Sequence, residues 1–94
     1  MPSVLRYQDS AGGQLGVNAS NQKSVINTTV FANSKEIIVN GDIVKPHGSS
    51  PHNAATITAD SNNVFIGGVA VANSGDLATC GHVGSSDSNV YVGD

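Results

Sequence analysis

The sequence has no tryptophan, one cysteine, one glutamate, one arginine and three leucines. Each shortage excludes something. A single thiol cannot form a disulfide within the chain. Surface helices are built mainly from Glu, Lys, Arg and Leu, and too few are present for a helical bundle. Four basic residues stand against seven acidic ones, for a net charge of −3. Nucleic-acid and anionic membrane surfaces are held by clustered positive charge, so neither is expected as a stable partner. No stretch approaches the roughly 18 apolar residues of a membrane span. Met1-Pro2-Ser3-Val4 opens with no basic region followed by an apolar one, so no signal peptide is expected.

What is present points to β-structure. Gly, Asn, Ser and Asp make up 39 of the 94 residues, nearly all of them turn formers. Leu, Ile, Val and Phe make up 23, most of them β-branched. A single all-β domain over residues 1–94 is predicted. Its core must be thin, and a thin core without disulfides needs another staple, such as a metal or a partner.

The strongest local signal is Ile37-Ile38-Val39-Asn40-Gly41-Asp42-Ile43-Val44, two β-rich runs flanking Asn-Gly. This is a hairpin pattern, because both central residues tolerate positive φ. Val64-Phe65-Ile66-Gly67-Gly68-Val69-Ala70-Val71 repeats the frame with Gly-Gly, and Val90-Tyr91-Val92-Gly93-Asp94 begins it again. Starts at 37, 64 and 90 predict a repeat of 26–27 residues and pseudo-threefold character. The third copy shows no return strand, so it is expected to pair elsewhere or form an edge. Val25–Phe31 reads as a strand, and Asp9–Gly16 as a turn-rich loop.

The chemistry-bearing residues fall as two close pairs, His47 with His52 and Cys80 with His82, each following a repeat hairpin. Equivalent repeats would project both pairs from one end of the fold. One Cys and three His form a closed tetrahedral set for zinc, and the thiolate disfavours calcium and magnesium. Pro46 and Pro51 stiffen the chain beside the first pair, while Gly48 and Gly81 allow sharp bends. Structural zinc can supply on the order of 10 kcal/mol of apparent binding energy, comparable to a small domain's whole stability. A Cys80–His82 nucleophilic dyad is the competing reading. Four protein ligands would leave no position for water, so hydrolysis is not expected. Asn18 and Asn27 head glycosylation sequons of the kind expected by chance in so Asn- and Ser-rich a chain.

The recurrent Asn63–Gly67 and Asn89–Gly93 units, the Ala72–Asp76 segment ahead of Cys80, and the Cys-plus-three-His inventory resemble the PAAR-repeat family. Residues 36–94 carry the resemblance best, and Arg6–Gly13 is similar to the family's opening loop. No Pro-Ala-Ala-Arg tetrapeptide occurs; the matching places read Asp42-Ile43-Val44-Lys45 and Val69-Ala70-Val71-Ala72. The resemblance implies a small conical β-structure of repeated hairpins, with His47, His52, Cys80 and His82 holding a metal near the vertex. Zinc ranks ahead of iron. It further implies a structural, non-enzymatic tip on a trimeric β-helical spike, one copy per trimer, with no stable homo-oligomer. Members from T-even-type phages are the most similar, which places the tip on the virion's tail baseplate, in transient contact with a target membrane. A type VI secretion spike cap that docks effector cargo is the alternative, and a small zinc-dependent enzyme or a glycan-binding β-domain the reading from another class. Strand alternation sends Ile37, Val39, Val64, Ile66, Val90 and Val92 to one face. It sends Ile38, Phe65 and Tyr91 to the other, as candidates for partner contact.

Overall fold

Among the described residues there is no helix, and regular strands are only two residues long. The structure is a computed structural model that describes residues 3–32, 34–49, 52–59, 64–86 and 90. Strand β1 (Phe31–Ala32) pairs with β2 (Lys35–Glu36), and β3 (Phe65–Ile66) with β4 (Val69–Ala70), both antiparallel. Gly67 and Gly68 make the second turn at φ 59° and 83°, as the Gly-Gly pattern predicts. Single antiparallel bridges supply the remaining β-pairing.

Three turns organise these short pieces: Arg6–Asp9, Val39–Asp42 and Asn73–Asp76. In each, the aspartate N–H donates to the carbonyl three residues earlier, at 2.9, 3.1 and 3.0 Å. Each aspartate carboxylate accepts the N–H of its turn's first residue at 2.8 Å. The third positions, Gln8, Gly41 and Gly75, have φ of 76°, 92° and 97°. The side chain thus closes the turn from within, leaving the flanking residues to pair outward.

That outward pairing is cyclic. Leu5 N–H donates to Ala72, Ala72 N–H to Ile38, and Ile38 N–H to Leu5, each at 2.9 Å. A second ring joins Tyr7 to Glu36, Asn40 to Ala70 and Ser74 to Ser3, each at 2.8 Å. Three units therefore meet around one axis, with equivalent positions such as 5, 38 and 72. All three residues of the central triad are fully buried. Val44 and the alanines 11 and 78 form the next layer of that core cluster, and Cys80 packs against it. A second cluster holds Val4, Ile37 and Val71, with Val39 and Ala32. The β3–β4 hairpin covers this cluster through Val64, Ile66 and Val69.

The pseudo-threefold character follows the sequence reading, but the repeat is different. Equivalent positions are 33 and 34 residues apart, not 26–27, and the first unit begins at the residue 3–9 segment rather than at Ile37. The Asn40-Gly41 turn forms, yet its flanks do not pair with each other. Ile37 bridges Arg6, Val39 bridges Val71, and Ile43 bridges Thr56. Of the third copy only Val90 is described, and its carbonyl accepts the Val4 N–H at 2.8 Å; residues 91–94, which carry the rest of that predicted strand, lie outside the described residues. This contact matches Ile37 N–H to Val30 and Val71 N–H to Val64, both at 3.1 Å. The start at 64 therefore marks an outer arm, Val90 stands at the equivalent place, and Val30-Phe31 is the first such arm in chain order. The predicted Val25–Phe31 strand forms only at its end, in β1.

The buried Asp42, Asp9, Arg6 and Asn27 are held by close partners. Asp42 is almost fully buried and accepts the Ile26 N–H at 2.8 Å as well as that of Val39. Burial pushes its carboxyl above the usual aspartate value, against the pull of those two N–H donors. Asp9 pairs with Arg6, Nε to Oδ2 at 3.3 Å, both largely buried. Asn27 is buried and donates to the carbonyls of Val30 and Ile37, so its side chain is a structural link and no glycan acceptor.

Candidate metal centre

Each unit leaves its aspartate turn through a loop and returns to the aspartate carbonyl. Leu15, Ile57 and Gly84 donate to Asp9, Asp42 and Asp76, at 2.7, 2.9 and 2.7 Å. The loops differ in length. The second unit's loop carries His47 and His52, closed by His47 N–H to the His52 carbonyl at 3.0 Å. The third unit's loop is a tight Thr79-Cys80-Gly81 turn. Ala78 N–H donates to His82 across it at 2.8 Å, and Gly81 takes φ 95°. A left-handed residue ending a three-residue loop is the usual bulge geometry, which explains the glycine. The ligand pairs therefore follow Val44 and Ala78, which are equivalent, rather than Val44 and Val71.

The four donors converge. The side chains of His47, His52, Cys80 and His82 each bring a ligand atom within 4.8 Å of the other three. Four points so close share a centre within about 2.9 Å of each, so small side-chain adjustments reach the roughly 2.0–2.3 Å of zinc bonds. The imidazole centroids form a near-equilateral triangle of 5.0, 5.0 and 5.1 Å. His47 Nε2 lies 3.5 Å from Cys80 Sγ. An N–S edge of a tetrahedral zinc site is about 3.6 Å from its bond lengths.

Two further features fit a cation. His47 Nδ1 lies 2.8 Å from the Lys45 carbonyl oxygen. A carbonyl only accepts, so Nδ1 carries the proton and Nε2 offers its lone pair toward Cys80. His52 Nδ1 is buried without any protein partner. An unpartnered buried nitrogen is unfavourable by about 1–3 kcal/mol unless something satisfies it. A metal ion in the cluster would do so. These residues could hold an ion through one thiolate and three neutral imidazoles. His82 is exposed and the other three are half-buried, so the centre lies near the surface.

Sequence reasoning missed the first unit's part in this site. Its loop carries no ligand, yet Gly12 and Gly13 lie directly against the imidazoles. A Cβ on Gly12 would come within 2.5 Å of the His82 ring, and one on Gly13 within 2.9 Å of His47 Nδ1. Aligning Asp9 with Asp42 and Asp76 would have flagged this pair, because it occupies the loop position of Lys45-Pro46 and Thr79-Cys80.

The three candidate partner residues separate. Ile38 is fully buried in the central triad, so it offers no surface to a partner and its assignment is corrected to core. Alternation misplaced it because inner and outer faces are both buried at the axis. Phe65 is 53 % exposed. Tyr91 lies outside the described residues. Phe31, 52 % exposed, stands on the first outer arm where Phe65 stands on the second, and was not picked out from the sequence. An open apolar groove of about 640 Å³ lies beside Phe65, floored by Val4, Ile37 and Val71 and walled by Val30 and Val64. The fold and site define an all-β chain of short strands with a Cys/His group able to bind a metal. The chain matches no known family model and no curated protein.

Proposed function

We propose that this chain is a structural, metal-stabilised tip that caps a trimeric β-helical spike of a contractile phage tail. The observation that carries the reading is the arrangement of one chain as three equivalent units around an axis, with the metal donors gathered on the loops of two. A monomer of this kind can meet a threefold partner with one similar contact per subunit, so one copy sits on each trimer. The resemblance to PAAR-repeat proteins supports the same role, and a conical outline with the metal at its vertex belongs to it. Zinc suits the donor set: a thiolate with three imidazoles fills a tetrahedron and leaves no open position for chemistry. The ion's part is mechanical. It ties two loops together where few apolar residues converge, so the point resists local unfolding under load.

The test is assembly. The purified chain, mixed with a candidate trimeric β-helical spike protein, is expected to form a complex with one copy per three spike chains by native mass spectrometry. Failure of the two to associate overturns the reading.

A further inference from the structure

We propose that the ligand-free loop of the first unit is the element that shapes the metal centre, with Gly12 and Gly13 as positioning residues and the Lys45 carbonyl as the outer partner of His47. This rests on the metal-binding reading above. The two glycines touch different parts of the centre. Gly13 sits where a Cβ would meet both the Lys45 carbonyl oxygen and His47 Nδ1, the two ends of one hydrogen bond. The backbone of the first unit therefore covers that bond and keeps His47 in the tautomer that offers Nε2 to the ion. Gly12 sits flat against the His82 ring, with Cγ and Cδ2 both 2.5 Å from where its Cβ would be. His82 is the exposed residue of the four, and its ring also meets those of His47 and His52 at 5.0 and 5.1 Å. The glycine loop thus acts as a floor beneath two of the three imidazoles. An outer-shell partner that orients a ligating histidine is commonly worth 10–100-fold in metal affinity.

Backbone strain can be separated from this steric role. Gly13 does not have a positive φ, so Gly13→Ala adds a methyl without forcing the left-handed region. Gly12 has φ +86°, and Gly75, at φ +97° with nothing within 4 Å of its Cβ, is its matched control. The experiment is Co(II) titration of the full chain, read by thiolate-to-cobalt charge transfer and visible d–d bands. It is paired with long-range ¹H–¹⁵N NMR of the zinc-loaded wild type, which identifies the metal-bound nitrogen of His47.

Gly13→Ala and Gly12→Ala are expected to weaken Co(II) binding at least tenfold and to alter the d–d bands, while Gly75→Ala leaves both unchanged. Zinc on His47 Nε2 with a protonated Nδ1 is expected in the wild type. Unchanged affinity and spectrum in Gly13→Ala, or zinc on Nδ1, overturns the proposal. If Gly13→Ala does not fold, the His47 nitrogen assignment in the wild type decides alone. A wild-type chain that binds no Co(II) or zinc overturns the metal reading itself, a result distinct from either.

Discussion

Stripping an ion from the proposed His47, His52, Cys80 and His82 centre should lower the stability of the fold by about 4 kcal/mol. The donors lie on two loops, and an ion between His47 and Cys80 closes a segment of about 34 residues. Treated as a cross-link, such a closure removes chain entropy worth about 4 kcal/mol at 25 °C. Mass action gives a similar figure, about 4.1 kcal/mol when free metal is 1,000 times its dissociation constant. A domain of this size shifts its midpoint by about 4–8 °C per kcal/mol, so chelation should lower Tm by roughly 16–32 °C. The assay is thermal unfolding by circular dichroism, with and without chelator, for wild type and Cys80→Ala. The variant should melt near the chelated wild type and should not respond to chelator. Cys80 is half-buried beside the core, so its truncation alone accounts for only a small part of that loss. A wild-type Tm that ignores chelation, with less than about 0.2 metal ions per chain, refutes the four-ligand centre.

Three further outcomes follow from particular contacts. Leu5→Ala empties the centre of the triad and should destabilise by about 3–5 kcal/mol in urea melts, with the metal-free protein left largely unfolded. Asp42→Asn keeps one acceptor and loses the other, leaving either the Ile26 or the Val39 N–H unpaired. It should lose about 1–3 kcal/mol. Because burial raises the Asp42 pKa, the native state holds this proton more tightly than the unfolded chain. The Asp42 contribution to stability therefore falls as pH rises from the ordinary aspartate value through the raised one. Urea melts of chelated protein between pH 4 and 6 should show that slope in wild type and not in Asp42→Asn. Phe31→Ser and Phe65→Ser should leave Tm nearly unchanged, since both rings are exposed, while weakening association with the spike at least tenfold. Full-strength binding by the double variant would remove the outer arms from the contact.

The Cys/His group that could hold a metal was legible from sequence because so few residues could compete for the role. With one Cys and three His in the whole chain, two tight pairs are conspicuous wherever the fold puts them. The Gly67-Gly68 hairpin was legible for a local reason: both residues need positive φ, and turn and pairing lie within a few residues. The Asn40-Gly41 pattern shows the limit of such reasoning. Its turn forms, but the Asp42 carboxylate closes it from inside, and the runs on either side pair with Arg6, Val71 and Thr56 instead.

The repeat was misread for a related reason. The outer arms keep similar residues, Val30-Phe31 and Val64-Phe65 among them, and so advertise themselves. The units that stack around the axis share their turn aspartates, Asp9, Asp42 and Asp76, and their hydrogen-bonding geometry, while their central residues differ as Leu5, Ile38 and Ala72. The arms at Val30 and Val64 keep step with the units they lead into, each seven residues ahead of Ile37 or Val71, and the 27-residue spacing came from matching the inner Ile37 to the outer Val64.

Sequence alone determined the chemistry available to this protein: a β-rich, sparsely charged chain with one thiol and three imidazoles. Tertiary structure decided which backbone meets which, closing three dissimilar units into a ring and bringing a ligand-free glycine loop beneath two of the histidines. The physical reason is range. Side-chain type and local turn propensity act over a few residues, whereas a cyclic hydrogen-bond ring between residues 5, 38 and 72 exists only once the whole chain has closed.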